Sequence, residues 1–198
     1  MFVITSCAAG CGAAAITGSS LCALHAADPK KESVRITEYI REREVIKDLN
    51  APSLRFDSVD FSHRKFYGCN FHNAVFSMCL FTHDFMRMDF FDFATFYKCD
   101  FSHADMQFLS FAGSVMKDCT FEDSELLHVN YNGAGISDCT FNNSDLYNTR
   151  FINAEISNAD FHNCNLKKTW FIMSKRREVS FRSTNTAEAV FEMEEYLS

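Results

Sequence analysis

Large apolar residues recur at every fifth position along most of this chain. The series runs from Phe56 to Phe171 without an insertion or a deletion, and Phe fills most of its steps. An α-helix repeats every 3.6 residues and an ordinary β-strand every two, so neither keeps this phase. A period this regular predicts a solenoid, in which each turn of the chain contacts only the turns beside it.

A second series, of small residues, lies two positions before the first, and the residue between the two is often Asp or Asn. Residues 99–103 (Cys-Asp-Phe-Ser-His) and 159–163 (Ala-Asp-Phe-His-Asn) show the full pattern. This pattern resembles the signature of the pentapeptide-repeat family. The resemblance covers about 120 of the 198 residues. It implies an all-β solenoid, a right-handed quadrilateral β-helix of about six coils with four blocks to each coil, and short capping α-helices at both ends.

The implied organisation has four segments. Residues 1–30 form a Cys/His-bearing N-terminal segment, and residues 31–52 hold an amphipathic capping helix that Ser33 can begin. Residues 53–174 form the β-helix, which we expect to end at Lys175, Arg176 and Arg177. Residues 175–198 provide a linker and a short helix over 186–197.

The N-terminal segment carries a candidate metal site. Cys7, Cys11, Cys22 and His25 follow the spacing Cys-x3-Cys…Cys-x2-His, and Cys and His paired across a turn are the ligands of a tetrahedral zinc site. The string resembles a small zinc knuckle holding one structural zinc ion. Two other interpretations stay open, a secretory signal and a tail with incidental cysteines. No Lys or Arg precedes residue 30, which disfavours the signal.

An apolar belt is the best candidate for a partner-binding surface. Outward positions that elsewhere hold polar residues are apolar between residues 75 and 93, and such a belt needs a cover or a partner. Its members are Val75, Met78, Leu80, Phe85, Met88, Phe90 and Phe93.

Three charged residues interrupt the inward series. Arg64, Asp84 and Asp89 occupy slots that should be small and neutral. Arg64 and Asp84 lie one coil apart in the same column, so we expect a partly buried ion pair, since an unpaired buried charge costs several kcal/mol.

Charge and composition narrow the function. The net charge of -7 disfavours direct nucleic-acid binding, and no apolar run is long enough for a transmembrane helix. No catalytic constellation converges. We therefore expect a non-enzymatic, cytoplasmic protein–protein interaction scaffold or adaptor, with a homodimer formed through the C-terminal helix or the apolar belt. The alternative is an acidic DNA mimic that modulates a type II topoisomerase, as the resemblance to quinolone-resistance proteins of the family implies.

Overall fold

The chain winds into a four-sided β-helix. The computed structural model describes residues 5–192, within which residues 45–190 make about seven turns. Each strand stacks in parallel on the strand 20 residues away, as Ile46 does on Phe66 and Phe66 on Met86. The solenoid predicted from the five-residue period is confirmed.

Two opposite faces of the rod are parallel β-sheets. Face A consists of β1 (Val45–Lys47), β3 (Lys65–Tyr67), β5 (Phe85–Arg87), β7 (Asp105–Gln107) and β9 (Glu125–Leu127). Face C consists of β2 (Arg55–Asp57), β4 (Val75–Ser77), β6 (Thr95–Tyr97), β8 (Val115–Lys117), β10 (Gly135–Ser137), β11 (Glu155–Asp160) and β12 (Lys175–Ser180).

Single bridges connect the coils on the other two faces. Face B follows face A along the chain and is joined at Asn50, Asn70, Phe90, Ser110, Asn130, Arg150, Trp170 and Val190. Face D follows face C and is joined at Asp60, Leu80, Asp100, Thr120, Thr140 and Asp160.

The corners between faces need a left-handed backbone. The residue two positions after each inward apolar residue has a φ near +55°, from Asp48 (52°) to Ser183 (58°). Asn, Asp and Gly tolerate this conformation, whereas β-branched residues do not. No Val, Ile or Thr occupies such a corner in residues 5–192. The backbone geometry therefore explains the polar residue that closes most blocks.

Stacked aromatic rings fill the centre of the rod. In one column each ring stacks on the next with centroids 4.6 to 5.1 Å apart and ring planes within 27° of each other. Its members are Phe61, Phe81, Phe101, Phe121, Phe141 and Phe161. Neighbouring columns meet edge to face, as Phe141 and Phe151 do at 6.0 Å and 89°. Both arrangements are favourable for aromatic pairs, so the core gains specific ring contacts in addition to burial.

The N-terminal helix is shorter than predicted and begins earlier. Helix α1 (Pro29–Arg41) is capped by Asp28, whose side chain accepts hydrogen bonds from the amides of Lys30 and Lys31. The expected cap, Ser33, lies inside the helix and donates to the carbonyl of Pro29. Ile46 and Leu49, assigned to the helix from the sequence, are buried in the first coil instead. The first coil was missed because its apolar spacing also fits an amphipathic helix.

The C-terminal end also differs from the prediction. Strand β12 continues the rod through Arg176, and Trp170 pairs with Val190 one coil later. Arg176 is tolerated in the apolar series because this coil is open to water, and its guanidinium lies 4.8 Å from the centre of the Phe191 ring. The predicted α-helix over 186–197 is wrong for residues 186–192, where only a 3-10 turn, Thr186–Glu188, forms. Residues 193–198 lie outside the described part.

Several hydroxyl residues in the small inward slots share one hydrogen-bonding pattern, although the Ser114 hydroxyl has no partner among residues 5–192. The Ser124 hydroxyl donates to the carbonyl of Phe101, one coil back, at 2.8 Å and accepts from the amide of Ala104 at 3.3 Å. Ser144 makes the equivalent two bonds with Phe121 and Ser124. The slot therefore offers one buried donor and one buried acceptor, and a residue with a hydroxyl satisfies both.

Asp84 and Asp89 occupy the same type of slot. The Asp84 carboxyl accepts from the Arg64 amide at 2.7 Å, and the Asp89 carboxyl accepts from the Cys69 amide at 2.6 Å. The second oxygen of each is buried with no partner among residues 5–192. The predicted Arg64–Asp84 ion pair is not made, because Arg64 turns its guanidinium to the carbonyl of Arg41. A protonated carboxyl would reproduce the donor of a hydroxyl in this slot.

We predict that these two carboxyls make the rod less stable as the pH rises. Burial raises the pKa of Asp84 to about 8 and that of Asp89 to about 7, although bonds from the backbone amides and the charges of Arg64 and Arg87 oppose the shift. An unfolded Asp titrates near 3.9. The two protonated carboxyls therefore contribute their full stabilisation below about pH 4. Between about pH 4 and pH 7–8 the free energy of unfolding falls by about 1.4 kcal/mol per pH unit for each group.

The measurement is the free energy of unfolding in urea at pH 5 and pH 8. In the double variant Asp84→Ser/Asp89→Ser, the free energy of unfolding should fall much less between pH 5 and pH 8 than it does in the wild type. Asp118→Asn, which changes an exposed corner carboxyl, is the matched control and should keep the wild-type fall. An equal fall in all three proteins would show that Asp84 and Asp89 are ionised in the native state.

Candidate metal centre and binding surfaces

The N-terminal segment folds into a compact unit that brings its four candidate ligands together. Ser6 pairs with Ala14 in a short antiparallel bridge, and Gly10 (φ 73°) and Gly12 (φ 77°) supply the left-handed turns between them. A second turn brings the amide of His25 to the carbonyl of Cys22 at 3.1 Å. Each turn presents two of the ligands.

The ligand atoms are spaced like the corners of a tetrahedron. All four lie within 4.8 Å of one another, with Cys11 Sγ 3.8 Å from Cys22 Sγ. His25 Nδ1 is 3.3 Å from Cys22 Sγ and 3.6 Å from Cys7 Sγ. Zinc–sulfur bonds of about 2.3 Å and zinc–nitrogen bonds of about 2.0 Å give tetrahedral edges of about 3.8 and about 3.5 Å. The donor set and its spacing therefore fit zinc.

The electrostatics of the cluster also suit a cation. Burial raises the pKa of Cys22, but its contacts with His25, Cys7 and nearby amides outweigh burial and lower the pKa to about 6. Contacts with Cys22 and Cys7 raise the pKa of His25. The Cys22 amide donates to Cys7 Sγ at 3.4 Å, a bond that favours thiolate. A metal needs thiolate cysteines and a neutral histidine, so the lowered pKa of Cys22 favours ligation, whereas the raised pKa of His25 opposes it.

The same unit is fastened to the first coil on face B. Thr17 and Asn50 exchange two bonds, from the Thr17 amide to the Asn50 carbonyl at 2.8 Å and from the Asn50 amide to the Thr17 hydroxyl at 2.7 Å. The Asn50 side chain donates to the carbonyl of Ala15. Arg35 of α1 donates to the Thr17 carbonyl at 2.6 Å. The unit therefore replaces the missing preceding coil.

A cleft of about 680 Å³ separates the N-terminal unit from face B. Ala14 and Leu24 line it on one side, and Asn70, His72 and Phe90 line it on the other. Leu24 is 85% exposed. Sequence reasoning missed this cleft because no local pattern indicates which face of the rod the N-terminal unit packs against.

The seven belt residues do not form one patch. Val75 lies on face C, Met78 lies at the corner between faces C and D, and Leu80 lies on face D. Phe85 is on face A, whereas Met88, Phe90 and Phe93 lie on face B and its two corners. The face B group borders the cleft, since Phe90 also lines it. A single partner can contact these three together, but it would have to encircle the rod to contact all seven.

Two further columns of His and Cys side chains form along the rod, and neither is a metal group among residues 5–192. The rings of His63, His83 and His103 stack on the corner of faces D and A, 5.0 and 4.9 Å apart. The thiols of an inward column on face D are reduced and buried, and its members are Cys79, Cys99, Cys119 and Cys139. The contact with Cys119 raises the pKa of Cys99 to about 12, whereas the same thiol lowers the pKa of Cys139.

Comparison with known protein families identifies the rod. Residues 114–191 match the model of the pentapeptide repeat region. The same five-residue register and the same 20-residue stacking continue back to residue 45. Residues 114–191 are thus a pentapeptide repeat region, and residues 45–190 form one continuous β-helix in the same register.

Solved pentapeptide-repeat proteins are similar to this chain at low sequence identity. HetL from the cyanobacterium Nostoc sp. strain PCC 7120, described as involved in heterocyst differentiation regulation, is 11% identical, with 78% of this chain and 94% of HetL covered and a TM-score of 0.36. Full-length QnrB1, a plasmid-mediated fluoroquinolone resistance protein, is 18% identical, with 71% and 83% covered and a TM-score of 0.34. Rfr23 from the cyanobacterium Cyanothece 51142 is 11% identical, with 80% and 99% covered and a TM-score of 0.27.

No curated protein matches the sequence significantly. Among residues 5–192 of this pentapeptide-repeat chain, no helix has the length and apolar character needed to cross a bilayer.

Proposed function

We propose that this pentapeptide-repeat protein is a non-enzymatic scaffold that binds a protein partner on face B, beside a cap held by one structural zinc ion. The observation that carries the proposal is the placement of exposed apolar side chains on costly corner positions next to the cleft.

Met88 and Phe93 are bulky side chains in a costly left-handed conformation, and about half of each stays exposed although the Phe93 ring contacts His72. Both have a φ of 57°, and they are 53% and 59% exposed. Asn148 and Asn153 occupy the same two corner columns three coils later, with φ values of 55° and 57°. A left-handed conformation costs a bulky residue about 1 kcal/mol or more, whereas Asn adopts it readily. Burial against a partner would recover this cost and remove the apolar surface from water.

Zinc would hold the opposite wall of the cleft. Cys22 and its neighbour Leu24 line the cleft, and Cys22 is one of the four candidate ligands. Four protein ligands leave no open position on a tetrahedral ion, so the ion would be structural rather than catalytic. Because binding energy at such a site is also folding energy, the metal would fix the unit and with it Leu24.

The scaffold is preferred to a DNA mimic that modulates a type II topoisomerase. A mimic of duplex DNA needs acidic rows along the rod that repeat the phosphate charge. Here Lys47, Lys65 and Arg87 occupy the outward positions of face A in three successive coils, and the face B corners are apolar. These features suit protein contacts and interrupt an acidic row.

We predict about one zinc ion per chain in protein purified without chelator. Elemental analysis should find it in the wild type and lose it in Cys11→Ser, because three ligands hold zinc weakly. The matched control is Cys164→Ser, which replaces a buried thiol in an inward slot where Ser124 and Ser144 are already found. Metal-free protein that keeps its N-terminal unit folded would overturn the zinc proposal.

We predict that Met88→Asn/Phe93→Asn abolishes partner binding without lowering stability, since Asn suits both corners. Affinity capture from cells would recover the partner with the wild type, and the dissociation constant would then be measured with the purified partner. Asn148→Ser/Asn153→Ser, on the same corners, is the control and should bind like the wild type. Equal binding by all three proteins would exclude face B as the partner surface, whatever the metal content.

A further inference from the structure

Face A divides its charge between two halves. Two outward columns run along it, one before and one after the inward residue of each strand. The first column reads Val45, Lys65, Phe85, Asp105, Glu125 and Asp145, and the second reads Lys47, Tyr67, Arg87, Gln107, Leu127 and Tyr147. Within these six coils the cations lie in the first three and the carboxylates in the next three, and the seventh coil continues the two columns with Asn165 and Lys167. Phe85 separates Lys65 from Asp105 in the first column, whereas Asp105, Glu125 and Asp145 are consecutive.

Much of this charge is exposed. Lys65 pairs with Glu44 at 2.6 Å, but both side chains are about half or more exposed, at 48% and 69%. Arg87 and Asp105 form a less exposed pair across the boundary between the halves. Glu125 is exposed and belongs to no ion pair among residues 5–192. The face therefore has charges available to an external partner of the opposite pattern.

A second copy of this chain has that pattern. The strands of face A are in register, so a two-fold axis parallel to them reverses the order of the coils and keeps each column opposite itself. When the axis passes between β5 and β7, Lys65 faces Glu125 of the copy, and Tyr67 faces Leu127. In the same arrangement Lys47 faces Tyr147, whose ring already holds Lys168 of its own chain, and Arg87 faces Gln107.

We infer that face A is the surface through which two copies of this protein associate, with the rods antiparallel. An axis along the rod would instead place basic coils against basic coils and acidic against acidic, which is repulsive. Sliding one rod by one coil in one direction sets Lys47 against Lys167 of the copy. Sliding it by one coil in the other direction sets Arg87 against Arg87 of the copy. Charge therefore selects both the direction and the register.

The dimer should be weak and sensitive to salt. Six coils at about 4.8 Å spacing and about three residues in width give a face of about 30 Å by about 10 Å. This footprint is well below the roughly 800 Å² per partner of a standard stable interface. Exposed charges are screened beyond about 8 Å at physiological ionic strength, so high salt should dissociate the pair. The inference depends neither on the metal nor on a partner at face B.

Sedimentation equilibrium of the full chain at low and high salt tests this inference. The wild type should self-associate at low salt, and Lys65→Glu and Glu125→Lys should each weaken association at least tenfold. Both changes in one chain should restore it. An equimolar mixture of the two single variants should form a heterodimer, because each carboxylate at position 65 or 125 of one chain then faces an ammonium group of the other. Lys117→Glu, an outward change on face C, is the control and should associate like the wild type.

Two results would overturn the inference. One is a wild type that stays monomeric at low salt and several hundred micromolar. The other is wild-type association by both single variants. Glu125→Lys removes no ion pair of the monomer among the described residues, so its result stands even if loss of the Lys65–Glu44 pair disturbs the first coil.

Discussion

The stacking of one coil on the next by backbone hydrogen bonds is the constraint on which the rest of this structure depends. The Ala51 amide donates to the Asn70 carbonyl, the Asn70 amide donates to the Leu49 carbonyl, and equivalent bonds repeat every 20 residues up to Val190. With the coil spacing set in this way, each inward column must stack on itself. Rings stack well at this separation, and the slot beside each corner mostly holds a small side chain, although Leu109 and Val129 are also buried in such slots. The outward columns are consequently held in straight, rigid rows.

The period, the ring columns and the corner chemistry could be predicted from sequence because each depends on residues within one coil of each other. The ends could not. The spacing of Val45, Ile46 and Leu49 fits an amphipathic helix as well as a coil. No preceding coil exists among residues 5–192 to extend the five-residue register, so the local pattern alone does not distinguish the two structures. Arg176 breaks the apolar series, but at an open end its side chain reaches over the Phe191 ring instead of being buried. The charge of Asp84 was equally hard to predict, since its partner is the Arg64 amide rather than the Arg64 guanidinium.

The candidate sites divide in the same way. The ligand spacing of the N-terminal unit could be recognised from Cys7, Cys11, Cys22 and His25 because the turns between them are local. Its position on face B depends on the Thr17–Asn50 bonds between residues distant in sequence, so the cleft was not foreseen. The belt was recognised residue by residue, yet four faces divide its members among different surfaces. Together, the metal unit, face B and the charge-divided face A describe a rigid rod that presents different surfaces to different partners.

Amide hydrogen exchange tests most directly whether the rod is one continuous stack of coils. The account predicts slow exchange for the inter-coil amides from Ala51 to Val190, including Phe161 and Phe171, which donate into the last coil. Protection should decline only at the outermost coils, where one neighbour is missing. Rapid exchange at Phe161, Phe171 and Val190 would show that the chain leaves the rod at residue 174. Such a result would contradict the seven-turn stack.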